Sequence, residues 1–254
     1  MTSSVPSPTA APRRRFATTR WSLIRQASQG HDTPARAALE ELCQAYWLPV
    51  YSFMRRQTND VHEAQDWTQG FFASLLSRDA FADLNPEFGR FRSFLLAAAR
   101  HFASNERDHK ATLSRGAKIA FCSLDFEHGE EQLASELARG ETPEQLFERR
   151  WALALLDRVL SRLRLENQDA GRDELFAVLS THLAGQPTEE SLAEVAETLR
   201  MSPEAVRIAL HRLRKRYRQI LKSEIAETIG SPEGVDDEIR CLFQALSSGQ
   251  SSHG

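Results

Sequence analysis

The sequence predicts an all-α protein made of two small helical domains joined by an acidic linker. Three observations carry that expectation. Apolar residues recur at three- and four-residue spacing along most of the chain, and no run alternates as a strand would. Helix-start signals, a Ser, Thr or Asp followed by Pro or by an acid or amide, open segment after segment. Charge is also segregated. Seven cations face one acid between Pro203 and Lys222, a local +6 in a chain whose total is −3, whereas Asp125 to Glu148 holds eight acids and one base. The first stretch suits a polyanion. The second repels one, or attracts a basic surface.

In chain order, residues 1–15 read as a disordered arm, because Ser, Pro, Thr and Ala bury too little apolar area to offset chain ordering. Thr18 or Thr19 can cap a short helix bearing Trp21, Ile24 and Ala27. Thr33-Pro34 starts the next, with Leu39, Leu42, Tyr46, Val50 and Phe53 at helical spacing and Pro49 expected to kink or divide it. Asp60 with Glu63 opens a helix whose inner face is Ala64, Trp67, Phe71 and Leu75. A loop from Asp79 to Arg90, with Asn85-Pro86 and Gly89, precedes a helix from Phe91 to Lys110. Together these make a domain over 16–111. Regularity then fades. The acidic segment 112–141, punctuated by Gly116, Gly129 and Gly140, reads as a linker with short helical pieces.

Thr142-Pro143-Glu144-Gln145 is a capping box with Pro at the first helical position, and a long helix follows through Leu163. Further helices are expected near Asp173–Leu183 and Glu189–Leu199, then from Ser202-Pro203 to roughly Ile229, completing a domain over 142–230. In 231–254, Val235, Ile239, Leu242 and Leu246 mark a last amphipathic helix before the tail.

At 254 residues, 41% hydrophobic and 26% charged, with a mean hydropathy of −0.46, the composition excludes collagen-like, disulfide-scaffold and wholly disordered chains. No stretch approaches the roughly 18 apolar residues of a membrane span, and the polar, Pro-rich start is no secretory signal. Cys43, Cys122 and Cys241 are odd in number and far apart, which fits a reducing cytoplasm. Enzyme signatures are lacking: no HExxH, GxxxxGK[ST] or GxSxG occurs, and His101, Asp108 and His109 do not share one helix face. No cofactor is expected.

Residues 191–222 have helix-turn-helix form. Ala193, Val195, Ala196 and Leu199 give a short apolar helix, Arg200-Met201-Ser202 a tight connection, and Ser202 a cap for the second helix. There Val206, Leu210, Leu213, Tyr217 and Ile220 form a core stripe. Arg207, His211, Arg214 and Arg218 repeat the same spacing about 100° round the axis. A basic stripe beside an apolar one docks a helix on its domain while facing a major groove. Ser202, Glu204, Ala205, Arg207, Ile208, His211 and Arg212, near the helix start, are the expected groove residues.

These residues resemble region four of the sigma-seventy family of RNA polymerase factors, extracytoplasmic-function branch: Leu192-Ala193-Glu194-Val195-Ala196, Ser202-Pro203-Glu204-Ala205-Val206-Arg207 and Leu210-His211-Arg212-Leu213-Arg214-Lys215. The first half agrees. Ala64-Gln65-Asp66-Trp67-Thr68-Gln69-Gly70-Phe71-Phe72 is similar to the region-two helix that grips the polymerase clamp, and residues 85–95 are similar to the loop and helix that capture the minus-ten element. The segment from Leu146 to Ala152 and the C-terminal helix resemble a subgroup common in planctomycetes. Gly70 departs from the pattern, standing where many relatives carry an acid.

The resemblance implies a transcription initiation factor without catalysis, acting in the cytoplasm. Its partners would be the clamp coiled coil and flap of core polymerase and promoter DNA, and the family also admits an anti-sigma factor. It implies polymerase contacts from Asp66, Gln69, Phe72 and Leu76, with Trp67, Phe71 and Leu75 kept for the core. Minus-ten contacts would come from Asn85, Phe88, Arg92, Arg100, Asn105, Arg107 and Lys110, and Phe91 packs inward. Minus-thirty-five contacts would come from Ser202, Glu204, Arg207, His211, Arg212, Arg214 and Arg218. The competing reading is a helix-turn-helix regulator with an N-terminal sensing or dimerisation domain, which has no reason to carry the motifs at 64–72 and 85–95.

Overall fold

A computed structural model describes residues 33–58, 60–77, 90–110, 124–185, 187–229 and 234–247. The expected arm, the helix around Trp21 and most of the loop before Phe91 lie outside the described residues. So do Asn85 and Phe88. The described residues form α1 (Thr33–Gln57), α2 (Val61–Ser77), α3 (Phe91–Lys110), α4 (Phe126–Leu137), α5 (Pro143–Asp169), α6 (Asp173–Ser180), α7 (Glu189–Thr198), α8 (Pro203–Ala226) and α9 (Val235–Ser247). The protein is thus all-helical over these residues, and none of its described helices is long and apolar enough to cross a membrane.

Local chemistry sets the helix starts. Asp60 accepts the Glu63 N–H at 3.0 Å, while the Glu63 carboxylate takes the Thr58 hydroxyl at 2.6 Å, so half of the expected box forms. At α5 the box is complete: Thr142 Oγ1 accepts the Gln145 N–H at 3.2 Å, and Gln145 accepts the Thr142 N–H at 2.8 Å. Pro49 lies inside α1 and does not divide it.

The core runs along α1 and α5, which pack side by side. Tyr46, Tyr51 and Phe53 from α1 and Phe147 and Trp151 from α5 are almost wholly buried, each removing roughly 1.5–3 kcal/mol worth of apolar surface from water. Around this spine α2 and α3 cover α1, and α8 and α9 cover α5. Tyr46 meets Phe91 of α3 edge-on at 5.3 Å. Gly70 has a packing reason: a Cβ there would stand 3.1 Å from Phe102 Cζ of α3, so the missing side chain lets the aromatic cross α2 closely.

One apolar cluster joins residues from both halves of the chain. The acidic segment does not pass between them as loose linker. From residue 126 it is a full helix, α4, capped by Asp125, which accepts the His128 N–H at 3.1 Å. Phe126 packs against Trp47 and Tyr51 of α1 at 5.8 and 5.0 Å, and Gly129 lets Trp47 approach to about 3.0 Å of where a Cβ would sit. Two of its acids are used internally. Glu130 accepts from Tyr51 at 2.6 Å and Arg55 at 2.9 Å, and Glu136 lies 2.8 Å from Arg150 Nε. Burial, and the carboxylate it donates to, push the Tyr51 phenol well above its ordinary range. The acid excess therefore attracts a basic surface, and that surface belongs to the same chain.

Candidate nucleic-acid interface

In the second half of the chain three devices set α7, the tight turn after it and α8. Thr188 caps α7, its hydroxyl accepting the Ser191 N–H at 3.2 Å. The turn that follows closes as a Schellman motif: Met201 N–H reaches Ala196 O at 2.9 Å and Arg200 N–H reaches Glu197 O at 3.1 Å. That motif needs a left-handed residue, and Arg200 supplies it with φ 52° where glycine is usual. Ser202 then caps α8 by accepting the Ala205 N–H at 3.2 Å, with Pro203 at the first helical position.

α8 buries Val206, Leu210, Leu213 and Ile220 as the spacing predicts, with Tyr217 half-buried on the same stripe. The adjoining face carries Arg207, His211, Arg212, Lys215 and Arg218, all exposed, with the apolar Ile208 44% exposed among them. Between α7 and α8 this face borders an open cleft of about 500 Å³, with Pro187 and Leu192 on one wall and Arg207, His211 and Arg218 along the other. Arg207 is held by Glu189 of α7 and, at 3.4 Å, by Glu204. These exposed pairs are weak enough for a phosphate to displace. Arg214 lines the same cleft but is half-buried. Its guanidinium donates to the carbonyls of His182 and Gly185 at 2.6 and 2.8 Å, so it also braces the loop after α6. Arg216, which the stripe did not include, forms two 2.7 Å bonds to Glu166 of α5.

The α3 residues divide. Arg100, Asn105 and Arg107 are exposed: Arg100 pairs with Glu144 at 3.0 Å, Asn105 donates to His101 at 3.2 Å, and Arg107 donates to Ala103 O at 3.2 Å. The Lys110 side chain lies outside the described residues. Arg92 is not on this surface. Only 6% exposed, it bonds Glu238 of α9 at 2.6 and 3.0 Å, pairs with Glu148 of α5, and stacks 4.5 Å from the Trp151 ring centroid. Burial alone would lower its pKa, but the bonds to Glu238 and the charge of Glu148 outweigh that and keep it protonated. Burial also pushes Glu148 up, against the pull of Arg92. Phe91 is core, as expected.

On α2, Asp66 is exposed and Gln69 half-buried. Phe72, expected to face a partner, is only 7% exposed and packs edge-on to Phe71 at 5.3 Å, because α2 is covered on a wider arc than one stripe. The Leu76 side chain lies outside the described residues. Among the described residues no three His, Cys, Asp or Glu side chains gather as metal ligands would. Sequence reasoning missed Glu148, Glu238 and Glu189, which hold the key arginines. Their only sequence trace is an acid in the first turn of α7 and of α9 and one turn into α5.

No family model, no curated protein and no solved structure matches this chain.

Proposed function

We propose that the protein is a transcription initiation factor of the sigma type, which binds core RNA polymerase, directs it to promoters and helps open the duplex. The observation that carries this reading is the α7–turn–α8 unit, with Arg207, His211, Arg212 and Arg218 exposed along one face of a capped helix. In this reading α1–α3 act as region two and α5–α8 as region four. Arg207 and His211 read base edges of the minus-thirty-five element, where a bidentate arginine–guanine contact discriminates by roughly 1–3 kcal/mol. Arg218 meets phosphates. Arg100, Asn105 and Arg107 of α3 hold the melted minus-ten strand, and Asp66 and Gln69 face the polymerase clamp. The factor has no catalytic step and works in the cytoplasm.

The test is retention of core RNA polymerase by the immobilised full-length chain at low salt, followed by transcription from a promoter library. Promoter-directed transcripts support the reading. Duplex binding without polymerase retention leaves the helix-turn-helix regulator instead. Within the reading, Arg207→Ala relaxes preference at one or two base pairs, whereas Arg218→Ala weakens all sequences alike and lowers the salt slope by about one.

A further inference from the structure

The ionic cluster where α3, α5 and α9 meet places charges in an unusual way. Glu238 of α9 is 1% exposed and faces two arginines that flank Phe91, Arg92 at 2.6 Å and Arg90 at 2.9 Å. Arg90 also donates to Cys241 Sγ of α9 at 3.1 Å. At its first turn α9 reaches the other basic helix too, with Asp236 3.0 Å from Lys222 of α8. One short acidic helix thus engages cations from both helices assigned to DNA.

Its apolar grip on α3 is small. Leu242 is fully buried and Val235, Ile239, Ala245 and Leu246 pack partly buried beside it, but this apolar face lies chiefly on α5 and α8, while Phe243 stays 57% exposed. What seats α9 against α3 is therefore largely ionic. A buried ion pair adds little net stability over apolar packing of the same volume, so it holds well only while nothing better is offered to either partner. A guanidinium accepts phosphate in the same bidentate geometry as carboxylate, and a nucleic acid adds the gain from counterion release.

We propose that α9 is an autoinhibitory strap: Glu238, with Glu148 of α5, occupies the arginines at the start of α3, and α9 must leave before Arg90 and Arg92 can meet DNA phosphates. The inference rests on the DNA role of α3 stated above. A protein whose competent form is a tenth or less of the population shows affinity lowered tenfold or more. Releasing the strap recovers that factor.

The experiment titrates full-length protein against a labelled 20-nucleotide single strand, which reports on α3 rather than on duplex reading by α8. The E148Q/E238Q variant is expected to bind at least tenfold tighter than the unaltered chain, and adding Arg92→Ala to it should abolish most of the gain. A second form carries a protease site between Ile229 and Gly234. Cleavage should give the same gain, and excess synthetic peptide spanning 230–254 should reverse it. Equal affinity before and after cleavage, with far-UV circular dichroism retained, overturns the strap, and so does a gain that survives Arg92→Ala. If the double variant fails to fold, the cleaved form decides. Polymerase retention separates the two ideas. A gain in strand binding with no polymerase retention by any form keeps the strap and discards the initiation factor. Equal promoter-directed transcription and equal strand affinity by all forms do the reverse.

Discussion

α3 and α8 are both arginine-bearing amphipathic helices, and the fold treats their cations in opposite ways. On α3 the arginine nearest the helix start is drawn inward, with Arg92 bonded to Glu238 and stacked on Trp151. On α8 the arginine nearest the start stays at the surface, where Arg207 is met only by exposed acids. The difference lies outside both helices. α3 is roofed at its start by α5 and α9, each carrying a buried or half-buried glutamate, whereas the start of α8 meets α7, whose acids are exposed. Whether a basic residue is available to a polyanion is thus decided by which acids the topology brings beside it.

The sharpest way to break this comparison is to truncate one arginine on each helix. Arg92→Ala takes a partner from buried Glu238 and from half-buried Glu148, and removing one partner of a buried pair costs about 3–5 kcal/mol. Arg90 remains 2.9 Å from Glu238, which puts the expected loss at the lower end. Arg218→Ala removes an exposed cation and should shift stability by less than about 0.5 kcal/mol. Urea denaturation of the two variants measures the contrast. Equal midpoints would mean that Arg92 is not held as described.

Much of this was legible in the sequence because it is local. The Thr142 box, the Ser202-Pro203 start and the Val206–Ile220 stripe each depend on residues within a few turns, and each appears where spacing puts it. What was not legible depends on distant partners. Arg92 is 56 residues from Glu148 and 146 from Glu238, so no window on the sequence joins them. Arg214 sat correctly on a basic stripe, but two carbonyls 29 and 32 residues back claim its guanidinium. Phe72 sat off the apolar stripe of α2, yet α2 is enclosed more widely than that stripe, and the ring is buried. The acidic segment's composition suggests a linker with short helical pieces, and over 126–137 Phe126 and Leu133 dock one such piece as a helix on the core.

That docking gives a second, smaller test. α4 carries Glu130 and Glu136 to the arginines of α1 and α5, and it can approach α1 only because residue 129 lacks a side chain. Gly129→Leu improves helix propensity by up to about 1 kcal/mol but drives a branched chain into the Trp47 ring. Overpacking of this kind should dominate, with a net loss of about 1–3 kcal/mol in thermal or urea unfolding. A neutral result would mean that α4 is not seated on α1, and that its acids are free to repel a polyanion after all.

The exposed side of the comparison can be sharpened at the turn that aims α8. Arg200 occupies a left-handed position that costs an L-residue roughly 1–2 kcal/mol and glycine almost nothing. Against this, glycine gives more freedom to the unfolded chain, worth about 0.4–1 kcal/mol. Arg200→Gly should therefore be stabilising by up to about 1 kcal/mol, seen as a rise in the unfolding midpoint. Destabilisation would show that the Arg200 side chain makes a contact that outweighs its backbone.

The smallest expected effect separates an exposed ion pair from the buried cluster by pH. Arg216 of α8 makes two 2.7 Å bonds to Glu166 of α5, with the partners 46% and 32% exposed. The hydrogen bonds from Arg216 hold the Glu166 carboxyl below its ordinary value of 4.5, outweighing partial burial. A carboxylate with a depressed folded pKa favours folding above its unfolded pKa, and that benefit disappears as pH falls through the folded value. Because both groups are well solvated, the pair contributes no more than about 1 kcal/mol. Comparing the unaltered chain with Arg216→Ala should thus show a small stability gap at pH 7 that is constant down to about pH 5. The gap closes below that, and it shrinks at every pH when salt is raised. The Arg92–Glu238 pair, 7% and 1% exposed, should respond less to salt. A gap between the unaltered chain and Arg216→Ala that persists at pH 2, or that salt leaves untouched, would mean that Arg216 acts through packing of its stem on α5 rather than through its charge.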